Sequence, residues 1–433
     1  MVAERKLNPE DIILPAGYKI EVFAKGLTCP INLIFTPHED VLVADAGVSD
    51  GNGKVLKQTG DGFETIADGF HPPLTGINFH EGRIYVSHRG AVTVIEPNGE
   101  KQDILTGLPS LGDHHNNQVI FSSDGKMYFG QGNATNSGIV GEDNDWVRQH
   151  PFFHDYPGRS IRLTGQNFTT KDSRVPTAGR AEAKTGAYSP FGVPSKVREK
   201  VKGITAASGS ILRANPDGSE LELVAWGLRN PFRLKFDRQG RLYATNHGMD
   251  ERGSRPVSNS PDELQLIQFG AWYGFPDYTG GLPVTLPQFK PKKQPQPSFL
   301  LAKHPMIPPA PITVFPPHSA AMGFDFNYNG NFAPIGDAYV AEYGPGRPGK
   351  KPVQNLGHCV SRLDIGTGRR KTFAKNRSGY SATYSGEGGF VRPVDVIFGP
   401  DGAMYVVDMG INRDGEGFVP GTGVIWCIRR TAS

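Results

Sequence analysis

The chain has 433 residues, with 46 basic against 43 acidic and a formal net charge of +3, a balance that lacks the one-sided basic field nucleic-acid binding calls for. Its 55 glycines and 36 prolines are spread throughout, which favours many tight turns over long helices. No stretch keeps apolar spacing at i, i+3, i+4, and no apolar run is long enough to span a bilayer.

Read from the N-terminus, the first eight residues, Met-Val-Ala-Glu-Arg-Lys-Leu-Asn, contain no apolar signal region, so the chain is expected to be cytoplasmic or to have lost a leader. One pattern then recurs: an apolar strand A, a turn, a strand B ending in a polar residue near glycine, and strands C and D. The first copy runs through 31–35, 41–44, 54–57 and 63–67, and the second through 76–79, 83–87, 92–95 and 102–106. The step from Ile31 to Thr75 is 44 residues and from Thr75 to Asn117 is 42, the length of a four-stranded propeller blade.

The third copy begins at 118–121 and 126–130 and resumes as strands C and D at 209–214 and 221–226, which leaves about 137–205 as an insertion. The fourth has A at 234–236, B at 241–245 and C at 264–267, followed by a second insertion at about 277–316. The fifth is 321–326, 338–341, 359–363 and 371–374. The sixth, 394–398, 403–407 and 424–428, lacks a strand D. Residues 18–24, followed by Lys-Gly-Leu, carry the strand D signature of 65–70 and 223–228, so they are expected to complete the last blade and remove its exposed edge. The expected fold is all-β, one six-bladed β-propeller domain over 1–433 closed by the N-terminal strand. Cys29, Cys359 and Cys427 are far apart, without zinc or haem-attachment spacing, and read as small core residues.

Because blade strands alternate in direction, the starts of A strands and the ends of B strands share a face with the D-to-A and B-to-C connections, and both insertions are expected there. The polar residues gathered at that face are, from the A starts, His114, His115, Asn116, Asn117, Arg229, Asn230, His318, Ser319 and Arg392. From the B ends come Asp45, His88, Gln131, His247, Glu342 and Asp408. A single B-end residue is more readily explained by pairing turns than by function. Arg229 beside Asn230, and the histidine pair in Gly-Asp-His-His-Asn-Asn, exceed what turns require. Arg229 and Arg392 suit bidentate recognition of carboxylates, and imidazoles take protons near neutral pH. Carboxylates for a metal cage are scattered, so a hard cation would rest on backbone carbonyls.

These residues resemble the soluble quinoprotein glucose/sorbosone dehydrogenases. The resemblance is carried by Asp113-His114 with Ser-Asp-Gly-Lys-Met-Tyr (123–128), Gly-Leu-Arg-Asn-Pro (227–231), Asn-His-Gly (246–248), Asp-Glu-Leu (262–264), Trp-Tyr-Gly-Phe-Pro (272–276) and Arg-Pro-Val (392–394). It implies a propeller holding pyrroloquinoline quinone (PQQ) on a calcium ion, and oxidation of a sugar or related alcohol or aldehyde with electrons passing to a separate acceptor. A periplasmic or secreted location is also implied. By position His114 looks like the general base, with His115 left open as the alternative. Arg229, Asn230, His247, Gln131 and Arg392 look like cofactor contacts, and the Gly248 and Met249 carbonyls like calcium ligands. Met249 departs from the proline of glucose-oxidising members, and Gln118 from an arginine, which places the chain nearer the sorbosone-dehydrogenase-like branch. Two other readings stand beside this one: a calcium-dependent, lactonase-like hydrolase drawing on Asp45, Glu342 and Asp408, and a redox-inactive propeller that binds a sugar or a partner. Phe152, Phe153 and Tyr156 of the first insertion could stack on a sugar ring or pack the loop itself.

Overall fold

The structure, a computed structural model, describes residues 5–174, 181–345, 352–413 and 417–431. Among them the one α-helix is the single turn Ala382–Ser385. The rest is strand, turn and loop with three short 3-10 segments, and the fold is a six-bladed β-propeller. Two compact units share the chain: Met1–Asp103 with Asp237–Gln239 and His318–Ser433, and Ile104–Phe236 with Gly240–Pro317.

In the first unit, Pro30–Phe35, Val41–Asp45, Gly53–Thr59 and Gly62–Phe70 form one sheet in chain order, and Leu74–His80 opens the next. Ala321–Phe326, Ala338–Glu342, Cys359–Asp364 and Arg369–Asn376 form another, which Ile12–Ile13 extends by a fifth strand that the repeat did not predict. The last sheet runs Pro393–Phe398, Met404–Asp408, Gly423–Arg430 and then Tyr18–Leu27. Tyr18 faces Arg430 and Lys25 faces Val424, so the N-terminal strand supplies the fourth strand as expected.

Position within a sheet explains the composition of each strand. Inner strands such as Pro30–Phe35 and Met404–Asp408 are buried on both faces and read as near-continuous apolar runs. Tyr18–Leu27 lies outermost and alternates at its start, with Tyr18, Ile20 and Val22 turned to a core of Phe332, Tyr339, Phe373 and Trp426. Burial of such large side chains stabilises the fold by about 1.5–3 kcal/mol each. All three cysteines are free and buried.

The second unit holds two four-stranded sheets and both insertions. One sheet is Ile120–Phe121, Met127–Gln131, Ser210–Ala214 and Glu222–Trp226, and the first insertion joins its second and third strands, as the repeat predicts. The other is Pro231–Phe236, Leu242–Asn246, Asp262–Leu266 and Thr313–Phe315. Here the expectation is corrected, because the second insertion joins strands C and D and its expected range contains strand D itself. That strand has three residues set among Pro311, Pro316 and Pro317, too few for periodicity to register.

The second insertion nonetheless returns to the start of the site. Tyr273 N–H donates to the Trp226 carbonyl at 2.8 Å and Phe275 N–H to that of Gly227 at 2.7 Å. Ile139, Leu163, Tyr188, Trp226, Trp272 and Leu300 then form an apolar cluster that fastens both insertions to the end of one blade.

Candidate functional site

The site grows from a feature shared by the A–B strand pairs. In five sheets the register slips where strand A begins, at Pro30/Asn32, Leu74/Gly76, Pro231/Arg233, Ala321/Phe324 and Pro393/Asp395. Such bulges re-aim the side chains beside them. Arg229 and Asn230 immediately precede the bulge of the fourth blade, and both of their N–H groups donate to Asn246 Oδ1, at 3.0 and 3.1 Å. Asn246 in turn donates to buried Glu263 at 2.9 Å, and His247 N–H donates to the Asn230 carbonyl at 3.2 Å.

The third blade is tied to this corner through Asn133. Its N–H donates to the Arg229 carbonyl at 2.8 Å and its amide to the Leu228 carbonyl at 2.9 Å. The Asn133 carbonyl receives both the backbone N–H of His114, at 3.2 Å, and His114 Nδ1, at 2.9 Å. A carbonyl only accepts, so Nδ1 carries the proton and Nε2 keeps its lone pair. Burial, then the nearby Arg229 guanidinium, holds the His114 pKa well below the ordinary imidazole value. This histidine is therefore neutral at physiological pH and equipped to take a proton. His115 has a similar bond, from Nδ1 to the Ser110 carbonyl at 2.8 Å.

Arg229 is buried and largely used by the protein. Its Nε donates to the Asn136 carbonyl at 3.0 Å, and its Nη2 to Asn136 Oδ1 at 3.1 Å and to Asp250 Oδ2 at 3.2 Å. Nη1 has no protein partner among the described residues. Asn136, buried at the root of the first insertion, also donates to the Asp250 and Arg252 carbonyls at 2.8 and 3.0 Å. Arg252 draws the corner tighter. It is held by Asp113, by Asp143 at 2.5 Å and by Asp250 at 3.5 Å. Burial works against its charge, but the three carboxylates prevail and raise its pKa.

The Gly248 and Met249 N–H groups donate to Asp262 Oδ1 at 2.8 Å and Ser260 Oγ at 2.6 Å, while their carbonyls accept no hydrogen bond among the described residues. A Cβ on Gly248 would lie 2.5 Å from the Pro261 carbonyl oxygen, so only glycine fits. The Met249 side chain, buried with Val257, Phe275, Val284 and Phe289, anchors the segment. A cavity of about 10 Å³ lies against this segment, lined also by Arg229, Asn246, His247 and Glu263. Nowhere among the described residues do three His, Cys, Asp or Glu side chains gather as a metal cage. Asp45 receives Gly47 N–H, Glu342 is paired with Arg370, and Asp408 with Arg5, so the carboxylates that a lactonase-like site would use each have a separate task.

Of the residues singled out by sequence, the second unit thus joins His114, Arg229, Asn230, His247, Gly248 and Met249 in one hydrogen-bonded corner. Gln131 is fully buried, donating to the Pro109 carbonyl at 3.0 Å, where it braces the turn that carries His115. Arg392 belongs to the first unit, with Nη1 on the Pro345 carbonyl at 2.8 Å and its guanidinium over the Tyr343 ring at 4.7 Å. Phe153 packs against Trp146 and Tyr156 within its own loop, while Phe152 is 81% exposed. The sequence reading gave no role to Asn133, Asn136, Asn246 or Arg252. The only trace of the first two is the polar run Gly-Asn-Ala-Thr-Asn-Ser-Gly at 132–138.

Gly132 makes the crowding at this corner testable. A Cβ there would stand 2.3 Å from His114 Cβ and 2.7 Å from Asn230 Oδ1. Gly132→Ala is expected to cost about 1–3 kcal/mol by overpacking, read as a lower denaturant midpoint, and to weaken any ligand binding that depends on His114.

The glucose/sorbosone dehydrogenase family model matches residues 194–326. An uncharacterised protein of Borreliella burgdorferi is 23% identical over 405 residues, 91% of this chain and 87% of its own. Quinoprotein glucose dehydrogenase B of Acinetobacter calcoaceticus is 23% identical over 209 residues, 46% of this chain and 32% of its own. The holo form of the pyranose dehydrogenase PQQ domain of Coprinopsis cinerea superposes with a TM-score of 0.62 at 16% identity, covering 97% of each chain. The stretch from Arg229 to Met249 lies inside the matched segment, and the resemblance read from the motifs is to the glucose/sorbosone dehydrogenase family.

Proposed function

We propose that the protein is a PQQ-dependent dehydrogenase of a sugar or related alcohol or aldehyde. The carrying observation is His114, a neutral imidazole with a bare Nε2, fixed through Asn133 to the segment that bears Arg229. The donor set suits the group. Arg229 Nη1 offers a cation to an anionic ring system, and the unclaimed Gly248 and Met249 carbonyls offer hard oxygen ligands to calcium. When bound, the quinone supplies the two-electron acceptor that no side chain can provide. The chain's own tasks are then to orient a hydroxyl toward His114 Nε2, to take its proton there, and to hold negative charge beside Arg229. Electrons leave to a separate acceptor, and a periplasmic or secreted location accompanies this reading.

The test begins with protein free of cofactor. Adding PQQ with calcium is expected to give a saturable change in absorption, and dye reduction with one or more members of an aldose panel. Chelating calcium is expected to abolish both. Absence of PQQ binding at micromolar concentrations would end the proposal.

A further inference from the structure

We infer that the outer face of the first insertion is a docking surface for an acidic protein. Residues 196–202, Lys-Val-Arg-Glu-Lys-Val-Lys, hold four bases and one acid, a local excess as large as the +3 carried by the whole chain. Two short strands give this charge a direction. Ile161–Arg162 and Lys200–Val201 pair antiparallel, with Ile161 opposite Val201 and Arg162 opposite Lys200. Directly opposed residues share a face and successive ones alternate. Ile161 and Val201 thus turn inward to the apolar cluster that contains Trp226, while Arg162 and Lys200 turn outward, both exposed.

Neighbouring bases extend the face. A Cβ on Gly203 would lie 2.4 Å from Arg159 Cα, so the backbones touch and bring Arg159 beside Lys202. Arg162 Nη1 donates to the Arg198 carbonyl at 3.3 Å, which adds the Arg198 segment. Glu199, the one acid of the run, is engaged locally, its Oε2 accepting the Lys196 N–H at 2.7 Å. Among the described residues no ion pair reaches Arg159, Arg162, Arg198, Lys200 or Lys202; pairs of this unit lie elsewhere, as at Arg174 with Asp172 and Arg213 with Glu222. Like charges set directly opposite destabilise a strand pair. The arrangement works against the fold and is complementary to a surface rich in carboxylates. The residues between the cations select the class of partner. Val197 is 75% exposed and Ile204 39%, which gives the mixture of apolar contact and arginine found in protein interfaces. No aromatic residue occurs in 159–166 or 193–204, so the face lacks a platform for sugar rings and the large apolar anchors of a membrane-surface segment. This inference does not use the dehydrogenase reading and stands without it.

Fluorescently labelled poly-L-glutamate is the probe, titrated by anisotropy against the full chain at low ionic strength. Saturable binding that weakens as salt rises is expected. Lys200→Glu places a carboxylate opposite Arg162, so it is expected to hold or raise the denaturant midpoint while it lowers affinity, a combination that a purely structural role for Lys200 does not give. Lys200→Glu with Lys202→Glu is expected to weaken binding by about tenfold or more. Lys290→Glu with Lys292→Glu changes the net charge equally on an exposed part of the second insertion and is expected to leave binding unchanged. Equal losses from the two double variants would reduce the effect to net charge and overturn the inference. Tighter binding of polygalacturonate, or of phosphatidylglycerol vesicles, than of poly-L-glutamate would overturn the assignment to a protein. Self-association of the wild type that Lys200→Glu abolishes would overturn it in favour of a second copy of this chain.

Discussion

His114→Ala is expected to lower turnover by about 10²–10⁴-fold, the usual contribution of a positioned general base, while His115→Ala does so by far less. The difference follows from surroundings, because the His114 pKa is lowered by burial and by Arg229 as well as by His247 and Arg252. The working form is the neutral one, so activity should stay level through neutral pH and fall only in acid, as pH approaches the depressed value. Stability follows the same proton. The unfolded chain binds it near pH 6.5 and the folded state resists it, so this group removes stability progressively as pH falls below about 6.5. His114→Ala should therefore lose activity and yet show a shallower acid decline in its unfolding midpoint. Equal losses of activity for the two histidines would refute the distinction.

The second large effect concerns Arg252. Arg252→Met leaves Asp113, Asp143 and Asp250 without their common counter-ion, and is expected to destabilise by about 3–5 kcal/mol at neutral pH, as for other broken buried pairs. Asp143 already has a raised pKa, because burial outweighs Arg252. Without the guanidinium Asp143 would titrate higher still. The folded state would then hold more protons than the unfolded chain between the two values, so the deficit should shrink as pH falls through that window. Denaturant midpoints at pH 7 and pH 5 check the sign. With one of the cations that depress it removed, His114 should also titrate higher, moving the acid limb of the activity profile toward neutrality. A variant equally destabilised at both pH values would mean that Arg252 acts through packing rather than charge.

The propeller was legible because its signals are local and repeated. Strand B endings such as Val-Ala-Asp-Ala-Gly at 43–47 and Val-Val-Asp-Met-Gly at 406–410 recur at blade spacing, and the strand at 18–27 announced itself by its resemblance to other outer strands. The placement of His114, Arg229 and His247 at strand ends was legible for the same reason. The groups that give them chemical character were not. Asn133, Asn136 and Asn246 act through single carbonyl and amide contacts between segments distant in sequence, and an asparagine in a loop has no spacing to betray it. Arg252 likewise gains its meaning only when Asp113 and Asp143 arrive from the neighbouring blade and insertion. Thr313–Phe315 went unread because three residues between prolines carry no period.

The pairing of Tyr18–Leu27 with Gly423–Arg430 also has a kinetic meaning. This sheet cannot be completed until residues some 400 positions apart in the chain have met, the kind of non-local contact that slows folding. During synthesis the early strand must wait, its backbone unpaired and its Tyr18, Ile20 and Val22 uncovered, for the rest of the sheet to emerge. A partly made chain is thus most vulnerable to wrong strand pairing at its beginning. Once made, the same ladder holds an early strand and the last strand of the described chain together.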